Sequence, residues 1–264
     1  MKQRLFASLL ALLLAACTVM HTKPDPEVQK ILAPSGKLRI GVYPGSPTSM
    51  IRDPASGEIR GITVDLGAEL ARRLGVPAEW HEYRRVEEVL KAMKSGNVDF
   101  TVTNPTDARA KDVDFTQPVL AIELGYLVPA GSPVSALANL DRPGIRVGVT
   151  QGSTSQRTLP GQLKHAAVIT AVSLKAASEM LSQRKLDAFA TNKAILFEMS
   201  DSLPGSRVLD GRWGLEHMAI GVPKGREQGL DYVRRFAAEA MSEGLVPHAA
   251  ERAGLRGSTK VESQ

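Results

Sequence analysis

Cysteine is almost absent from this chain: Cys17 is the single cysteine among 264 residues. One cysteine cannot close a disulfide within the chain, and the rest of the sequence is left without a thiol for a zinc site or a catalytic nucleophile. The histidines also predict no metal site, because no two of them have the spacing that places metal ligands on one helix face. We therefore expect no bound metal. The histidines are His21, His81, His165, His217 and His248.

Aromatic residues and blocks of like charge are also scarce. The chain has 2 Trp, 4 Tyr and 6 Phe, too few for a platform that stacks nucleic-acid bases. Its net charge of +5 is scattered in pairs such as Arg84-Arg85, with no run of five like charges. The sequence also lacks a phosphate-binding loop, a dinucleotide glycine fingerprint and a nucleophile elbow. We expect no nucleic-acid partner and no cofactor.

The first seventeen residues have the layout of an export signal. Lys2 and Arg4 precede an apolar run from Leu5 to Ala16, which is too short to span a bilayer core of about 30 Å as a helix. This layout predicts a signal peptide over residues 1–16. The run ends in Leu14-Ala15-Ala16-Cys17, which resembles the lipobox of bacterial lipoproteins and implies that Cys17 is acylated. The alternatives are an ordinary signal peptide with a chance cysteine, or a buried helix.

A lipid on Cys17 implies a protein that is exported and tethered to a membrane, facing the periplasm or the cell exterior. Thr18, not aspartate, follows Cys17, and the sorting pattern that this resembles favours the outer membrane in a host that has one. Residues 17–33 are then expected to form a tether and a short helix that opens at Asp25-Pro26.

Strands and helices alternate along the remaining chain. Short β-branched or apolar segments predict strands, and apolar residues spaced three to four apart predict helices. Because this alternation occurs in two blocks, we expect a two-lobe α/β fold with mainly parallel sheets. The predicted strands are Leu38–Val42, Val98–Thr103, Ile145–Thr150, Asp187–Thr191 and His217–Val222, and the predicted helices include one capped by Asp65, one from Asn192 to Met199 and one from Leu230 to Met241.

Several short motifs follow one another between about Gly36 and Gly254 in an order that is typical of one protein family. They are Gly61-Ile62-Thr63-Val64-Asp65-Leu66, Arg109 five residues before Asp114-Phe115-Thr116, Leu186-Asp187-Ala188-Phe189-Ala190-Thr191-Asn192, and Ala219-Ile220-Gly221-Val222-Pro223-Lys224-Gly225. Together they resemble the extracellular solute-binding proteins of family 3, the amino-acid-type receptors of bacterial ABC importers.

The resemblance implies a type II periplasmic binding protein, a clamshell with the ligand in the cleft between its lobes. Lobe 1 would be residues 34–121 plus 219–255, lobe 2 would be 122–218, and 256–264 would be a tail. Two crossover strands, near Val119–Leu124 and Glu216–Ile220, would act as the hinge. The resemblance also implies a monomer without enzymatic activity. It would capture a small carboxylate-bearing molecule, an amino acid or a related organic acid, and deliver it to an ABC permease.

Arg109 is the candidate for holding the ligand's acidic group. A guanidinium donates two parallel hydrogen bonds to a carboxylate, and Arg109 follows a predicted strand within one short turn. The alternative is a surface arginine bonded to Asp112 or Asp114. From the other lobe, Ser153 and Thr154 open a helix directly after a strand, where N–H groups and hydroxyls favour an anion. Their alternative role is plain N-capping.

Three further candidates come from lobe 1. Tyr43 follows the first strand and would lie over the ligand or pack in the core. The segment Thr103–Arg109 is about two residues shorter than the run that commonly precedes the arginine in the family. The resemblance places Asn104 and Thr106 in this segment as ligand-binding residues.

Two positions depart from the family pattern. Arg85-Val86 stands where relatives often have an aromatic residue that stacks on the ligand, and Asn192 stands where they have the acid that holds an α-ammonium. An ammonium buried in a closed cleft needs an anionic partner. With Asn192 as a ligand-binding residue, we therefore expect a ligand without a free α-ammonium, unless Glu123 or Asp107 supplies the missing acid.

Two other functions are compatible with the same fold. A few proteins of this fold are enzymes, such as cyclohexadienyl dehydratases, and a dehydratase needs a positioned general acid, for which Glu198 and Asp107 are candidates. The third option is a sensor that presents its closed form to a membrane receptor.

Overall fold

The computed structural model describes residues 24–259, which fold into two α/β bodies joined by two long strands. The first helix of the body that we call lobe 1 is capped by Asp25, whose carboxylate accepts the N–H of Glu27 at 2.9 Å, with Pro26 in the first turn. The predicted short helix is thus confirmed. The first elements of lobe 1 are α1 (Pro26–Leu32), β1 (Leu38–Val42), β2 (Ile51–Arg52), β3 (Ile59–Arg60), α2 (Ile62–Leu74), β4 (Ala78–Glu82), α3 (Val86–Lys94) and β5 (Thr101–Thr103).

One long strand, β6 (Val113–Val128), carries the chain from lobe 1 into lobe 2. Three helices of lobe 2 begin after a polar residue, Ser153, Ser173 or Asn192, whose side-chain oxygen accepts a backbone N–H of the first turn. The elements of lobe 2 are a 3-10 turn (Leu137–Asn139), β7 (Arg146–Thr150), α4 (Thr154–Gln162), β8 (Ala167–Ala171), α5 (Leu174–Ser182), β9 (Ala188–Asn192), α6 (Lys193–Asp201) and β10 (Arg207–Val208).

A second long strand, β11 (Gly214–Pro223), returns the chain to lobe 1 and pairs antiparallel with β6. The register shifts between Met218 and Ala219 and again before Gly221, so β-bulges interrupt the pairing near its middle. Lobe 1 is then completed by α7 (Glu227–Ser242) and α8 (Leu245–Arg252).

The last described strand, β12 (Ser258–Thr259), pairs with β6 at Ile122 and Ala121. The structure therefore differs from the predicted tail at these two residues, because they add to the sheet edge. Residues 260–264 lie outside the described residues, as do Cys17 and the predicted signal peptide.

The sheets are mixed. In lobe 1, β1 and β4 are parallel, a parallel bridge joins Ile40 to Phe100, and β5 is antiparallel to β11. In lobe 2, β7 lies parallel to both β8 and β9, and β9 is antiparallel to β6. The pairs β1–β4, β7–β8 and β7–β9 are parallel as predicted, whereas the short strands β2 and β3 form an antiparallel hairpin. The crossover strands add antiparallel neighbours because the chain leaves lobe 1 on one of them and returns on the other.

Each lobe has its own apolar interior. The lobe 1 core includes Ile40, Leu70 and Phe236, all fully buried. In lobe 2, one cluster contains Val149 and a second contains Phe189. Separate cores joined by two strands allow the lobes to move as units.

The helix predicted to be capped by Asp65 begins earlier in the structure, at Ile62, with Gly61 at the N-cap. Asp65 lies in the first turn and its carboxylate accepts hydrogen bonds from Arg252. Gly61 has a φ of +153°, and a Cβ there would lie 2.3 Å from the carbonyl oxygen of Ser49. The close backbone approach, which composition does not reveal, sets this helix start.

Candidate functional site

A cavity with about 40 Å³ of accessible volume lies between the two lobes. Its walls come from the carboxyl ends of strands, from the first turns of the helices that follow, and from the crossover strand β11. The lining residues are Tyr43, Arg85, Val86, Thr103 and Arg109 from lobe 1, Thr150, Ser153, Thr154, Leu174, Thr191, Asn192 and Ile195 from lobe 2, and Glu216 and Met218 from β11.

Arg109 lies in this cavity as a buried cation. Its side chain donates from Nη1 to the hydroxyl of Thr103 at 2.9 Å and to the carbonyl oxygen of Asn104 at 2.8 Å. Its Nε is buried and has no hydrogen-bond partner. Burial lowers the pKa of the guanidinium, and Glu216 opposes that shift. A buried guanidinium held only by neutral oxygens is suited to an anion that occupies the cavity.

The alternative of a surface arginine is wrong. Arg109 is 6% exposed. The two acids considered as its partners are bound elsewhere, since Lys94 pairs with Asp112 and Lys224 with Asp114.

Thr150 faces the same cavity from lobe 2. Its hydroxyl is buried and unpartnered. Across residues 24–259 only three buried side-chain atoms lack a partner, and two of them, Arg109 Nε and Thr150 Oγ1, belong to residues that line this cavity. Buried polar groups are nearly always hydrogen-bonded in folded proteins, so two orphans at one cavity point to a polar ligand.

Ser153 and Thr154 lie at the start of α4, as predicted, and both line the cavity. The Ser153 hydroxyl accepts the N–H of Gln156 at 3.1 Å, so it serves as the N-cap. Gln156 Oε1 also accepts the N–H of Gly152 at 2.7 Å. The N–H of Ser153 donates to the carbonyl oxygen of Thr150 at 3.1 Å, which occupies one donor of the expected anion site. The Thr154 hydroxyl accepts from Asn104 Nδ2 at 3.4 Å, a contact from one lobe to the other.

Asn192 ends β9, and its side chain links two elements. Its Oδ1 accepts the N–H of Ile195, and its Nδ2 donates to Glu216 Oε2 at 3.0 Å. Glu216 is 9% exposed and lines the cavity from β11. The cavity therefore contains a carboxylate, which arrives from the crossover strand and not from the end of β9.

The two acids considered from sequence as replacements lie elsewhere. Glu123 is paired with Lys193 at 2.6 Å and with Arg212 at 3.4 Å, and Asp107 is exposed. Neither lines the cavity.

Tyr43 lines the cavity beside these charges. Burial raises the pKa of its phenol, while hydrogen bonding to Ser46 and the cation of Arg109 oppose the shift and Glu216 adds to it. The phenol therefore stays protonated at neutral pH, and it can donate one hydrogen bond and accept another.

Arg85 takes a different role from the aromatic residue expected at this place in the family. Its guanidinium is paired with Glu87 at 3.2 Å and with Glu88 at 2.8 Å, and its Nη1 also donates to the carbonyl oxygen of Val172 in lobe 2 at 3.3 Å. Arg85 thus lines the cavity as a neutralised cation that bridges the lobes.

The lobes touch at a second point. A Cβ on Gly152 of lobe 2 would lie 2.4 Å from the Cβ of Glu87 in lobe 1, so only a glycine permits this approach. With the bonds Asn104–Thr154 and Arg85–Val172, this contact defines a closed arrangement of the two lobes.

Five of the seven predicted ligand-binding residues line the cavity: Tyr43, Arg109, Ser153, Thr154 and Asn192. Asn104 and Thr106 do not. Asn104 Oδ1 accepts the N–H of His217 at 3.1 Å, and the Thr106 hydroxyl accepts the N–H of Arg109 at 3.3 Å. Both side chains therefore hold the backbone of another residue in place.

The sequence reasoning missed Thr103, Thr150, Thr191 and Glu216. The three threonines lie at or next to the carboxyl ends of β5, β7 and β9, where ligands bind in open α/β sheets, so strand position was an available signal. For Glu216 no local signal was available, because its place beside Asn192 depends on the pairing of β11 and β9 with β6.

The described residues hold no group of three or more His, Cys, Asp and Glu side chains arranged to bind a metal ion. Within residues 24–259, no helix is long and apolar enough to cross a membrane.

Two lobes, two crossover strands and a polar interlobe cavity define a solute-binding protein of the type II periplasmic class. The chain belongs to the bacterial extracellular solute-binding proteins, family 3, whose model matches residues 38–253. The family prediction made from the motifs is confirmed.

The chain is similar to several characterised proteins. It is 24% identical over 212 residues to the ABC transporter glutamine-binding protein GlnH of Bacillus subtilis, covering 79% of this chain and 77% of the relative. It is 26% identical over 200 residues to the L-arginine-binding protein of Pseudomonas aeruginosa, covering 71% and 76%. Among solved structures, the ancestral amino acid-binding protein AncCDT-1, a precursor of cyclohexadienyl dehydratase, shares the fold with a TM-score of 0.73 and 22% identity, covering 85% of this chain and 98% of that one.

Replacing Thr150 with valine tests the lobe 2 wall of the cavity. Valine keeps the shape and removes the hydroxyl, so we expect the loss of one ligand hydrogen bond of about 0.5–1.5 kcal/mol, or roughly a 2- to 12-fold weaker affinity. The free protein should melt no lower than wild type, because an unpartnered buried hydroxyl is removed. Thr170→Val is the control, since its hydroxyl bonds Gln156 outside the cavity. Equal affinities for wild type and Thr150→Val in calorimetric titration would contradict the assignment.

Proposed function

We propose that this protein captures a small carboxylate-bearing molecule, an amino acid or a related organic acid, in the interlobe cavity and delivers it to the permease of an ABC importer. The observation that carries the proposal is the buried guanidinium of Arg109, with an unpartnered Nε, in a cavity walled by both lobes. A carboxylate there would complete the hydrogen bonds of Arg109 and bridge the lobes. The similarity to the glutamine-binding protein GlnH and to the L-arginine-binding protein supports amino-acid binding.

Binding, not catalysis, is the function that the cavity supports best. Of the two general-acid candidates, Asp107 is exposed, and Glu198 lies on a separate groove with Pro44 and Lys175. Neither lines the interlobe cavity. The curated relatives reported above are binding proteins, and the likeness to AncCDT-1 concerns the fold.

The lobes that would close on the ligand are those of the sequence-based division, residues 34–121 plus 219–255 and residues 122–218. The protein would act as a monomer. In this proposal it faces the periplasm or the cell exterior, held by a lipid on Cys17 to a membrane, the outer membrane in a host that has one.

A thermal-shift screen tests the capture of a carboxylate. A molecule that binds only the folded state raises the melting temperature. We expect stabilisation by at least one amino acid or small organic acid, and none by its amide or ester, which lacks the carboxylate. Equal stabilisation by the amide would contradict the proposal.

Uptake measurements test the delivery step. A strain that lacks this chain should lose high-affinity uptake of the same labelled compound. Unchanged uptake would favour the sensor role.

Replacing Cys17 with serine tests the anchor. Two or more acyl chains hold a protein stably on a bilayer, whereas one gives marginal binding. We expect Cys17→Ser to move the protein into the soluble fraction on membrane fractionation, and Thr18→Ser, which leaves the cysteine in place, to stay with the membranes. Full retention of the Cys17→Ser protein on membranes would refute lipidation at this residue.

A further inference from the structure

Glu216 is a buried carboxylate without a cationic partner. It lies on β11, is 9% exposed and lines the interlobe cavity. Its Oε2 accepts a hydrogen bond from Asn192, and no described residue donates to its Oε1. Among residues 24–259, no Lys, Arg or His forms an ion pair with it. Burying a carboxylate costs several kcal/mol unless a cation and hydrogen bonds compensate for the lost hydration.

Arg109 is likewise a buried charge without an ion-pair partner among the described residues, and it lies in the same cavity. Its guanidinium and the Glu216 carboxylate influence each other electrostatically, yet they form no ion pair within the described structure. Each charge is therefore desolvated without being neutralised by the other. A molecule with an anion at one end and a cation at the other would neutralise both.

The remaining lining residues carry no further unpaired charge. Arg85 is neutralised by Glu87 and Glu88. The other walls are hydroxyl groups, the amide of Asn192 and the apolar side chains of Val86, Leu174, Ile195 and Met218. Because the cavity offers about 40 Å³ of accessible volume and no further unpaired charge, a ligand side chain placed against these walls would be short and uncharged.

We propose that Glu216, positioned by Asn192, binds the ammonium group of a zwitterionic ligand whose side chain is short and uncharged. This inference rests on the proposed function, because the ligand's carboxylate is assigned to Arg109. It reverses the expectation from sequence that the ligand lacks an α-ammonium. That expectation assumed that Asn192 left the cavity without an acid, whereas Asn192 orients an acid that comes from another strand.

Calorimetric titration of wild type with paired probes tests the inference. The zwitterions are L-alanine, L-serine and L-valine, and each is compared with its 2-oxo and 2-hydroxy analogue, for example pyruvate and L-lactate for L-alanine. L-Arginine and L-glutamate complete the set. We expect at least one neutral amino acid to bind most tightly, and its oxo and hydroxy analogues to bind about 30-fold or more weakly, because they leave Glu216 buried and unpaired.

The variant Glu216→Gln keeps the shape and removes the charge. It should weaken binding of the neutral amino acid about 30-fold or more and should not weaken binding of pyruvate or L-lactate. Glu123→Gln is the matched control, since this glutamate lies on the other crossover strand and its carboxylate is paired outside the cavity. It should bind within threefold of wild type.

Four results would overturn the inference. They are equal affinity for an amino acid and its oxo analogue, tighter binding of L-arginine or L-glutamate than of every neutral amino acid, unchanged amino-acid binding by folded Glu216→Gln, and no binding of any neutral amino acid at millimolar concentration. The wild-type comparison needs no variant, so it tests the inference even if Glu216→Gln does not fold.

The variant Arg109→Ala separates failure of this inference from failure of the proposed function. If wild type binds oxo acids as tightly as amino acids and Arg109→Ala no longer binds the oxo acids, this inference fails while the proposed function stands. If Arg109→Ala binds all probes as wild type does, the proposed function itself fails.

Discussion

Replacing Arg109 with alanine should nearly abolish ligand binding. Removing one partner of a desolvated, charge-assisted contact costs about 2–5 kcal/mol, or roughly a 30- to 4,000-fold loss of affinity. Arg109→Lys should recover only part of the loss, because an ammonium cannot reproduce the planar fork of a guanidinium. Calorimetric titration with the amino or organic acid that stabilises wild type measures both variants.

The stability of the ligand-free Arg109→Ala protein separates a binding role from a folding role. The buried guanidinium has two hydrogen bonds to neutral oxygens and no ion pair, so its removal eliminates a desolvated charge together with those bonds. We expect the variant to melt within a few degrees of wild type. Arg72→Ala, which removes an exposed arginine paired with Glu69, is the control and should keep its affinity. Binding by Arg109→Ala within threefold of wild type would show that Arg109 is not a ligand-binding residue.

Replacing Gly152 with alanine should prevent closure of the lobes. The new Cβ would lie 2.4 Å from the Cβ of Glu87 across the cleft, and neither atom can rotate away. Overpacking of this kind costs about 1–3 kcal/mol, which would appear as roughly a 5- to 150-fold loss of affinity because only the closed state contains the clash. Small-angle scattering should show a radius of gyration that falls on ligand addition for wild type and stays high for Gly152→Ala.

Gly144→Ala is the matched control for this experiment. Both glycines have a positive φ, +73° at Gly152 and +86° at Gly144, so alanine introduces similar backbone strain at each. At Gly144, however, no atom lies within 4 Å of the added Cβ. Gly144→Ala should lower the melting temperature and keep the affinity. Equal affinities for the two variants would show that the Gly152–Glu87 contact does not limit binding.

The fold could be predicted from sequence because its signals are local. Asp25 before Pro26, and Ser153 after a β-branched strand, each predict a helix start through a hydrogen bond only two or three residues long, and the structure shows both. The role of Arg109 was predicted with the help of the family resemblance, because its position one turn after a strand is also compatible with a surface arginine. The start of α2 could not, because it depends on the close approach of Gly61 to Ser49, which belongs to another segment.

The carboxylate in the cavity could not be predicted from the sequence, because its position depends on a contact that no local pattern reveals. Asn192 and Glu216 are distant in sequence and come together only because β9 and β11 both pair with β6. Bulges shift the register of β11 beyond Met218, so the residue facing the cavity cannot be counted from the far end of the strand. The sequence analysis expected Asn192 to leave the site without an acid, whereas Asn192 binds the carboxylate of Glu216 there.

Mass spectrometry of the small molecule that stays with the protein through gentle purification, compared between wild type and Arg109→Ala, tests the central claim most directly. The account predicts that wild type carries a small molecule with a carboxyl group at close to one per chain, and that Arg109→Ala carries little or none. A bound molecule without a carboxyl group, or equal occupancy in the two proteins, would contradict it.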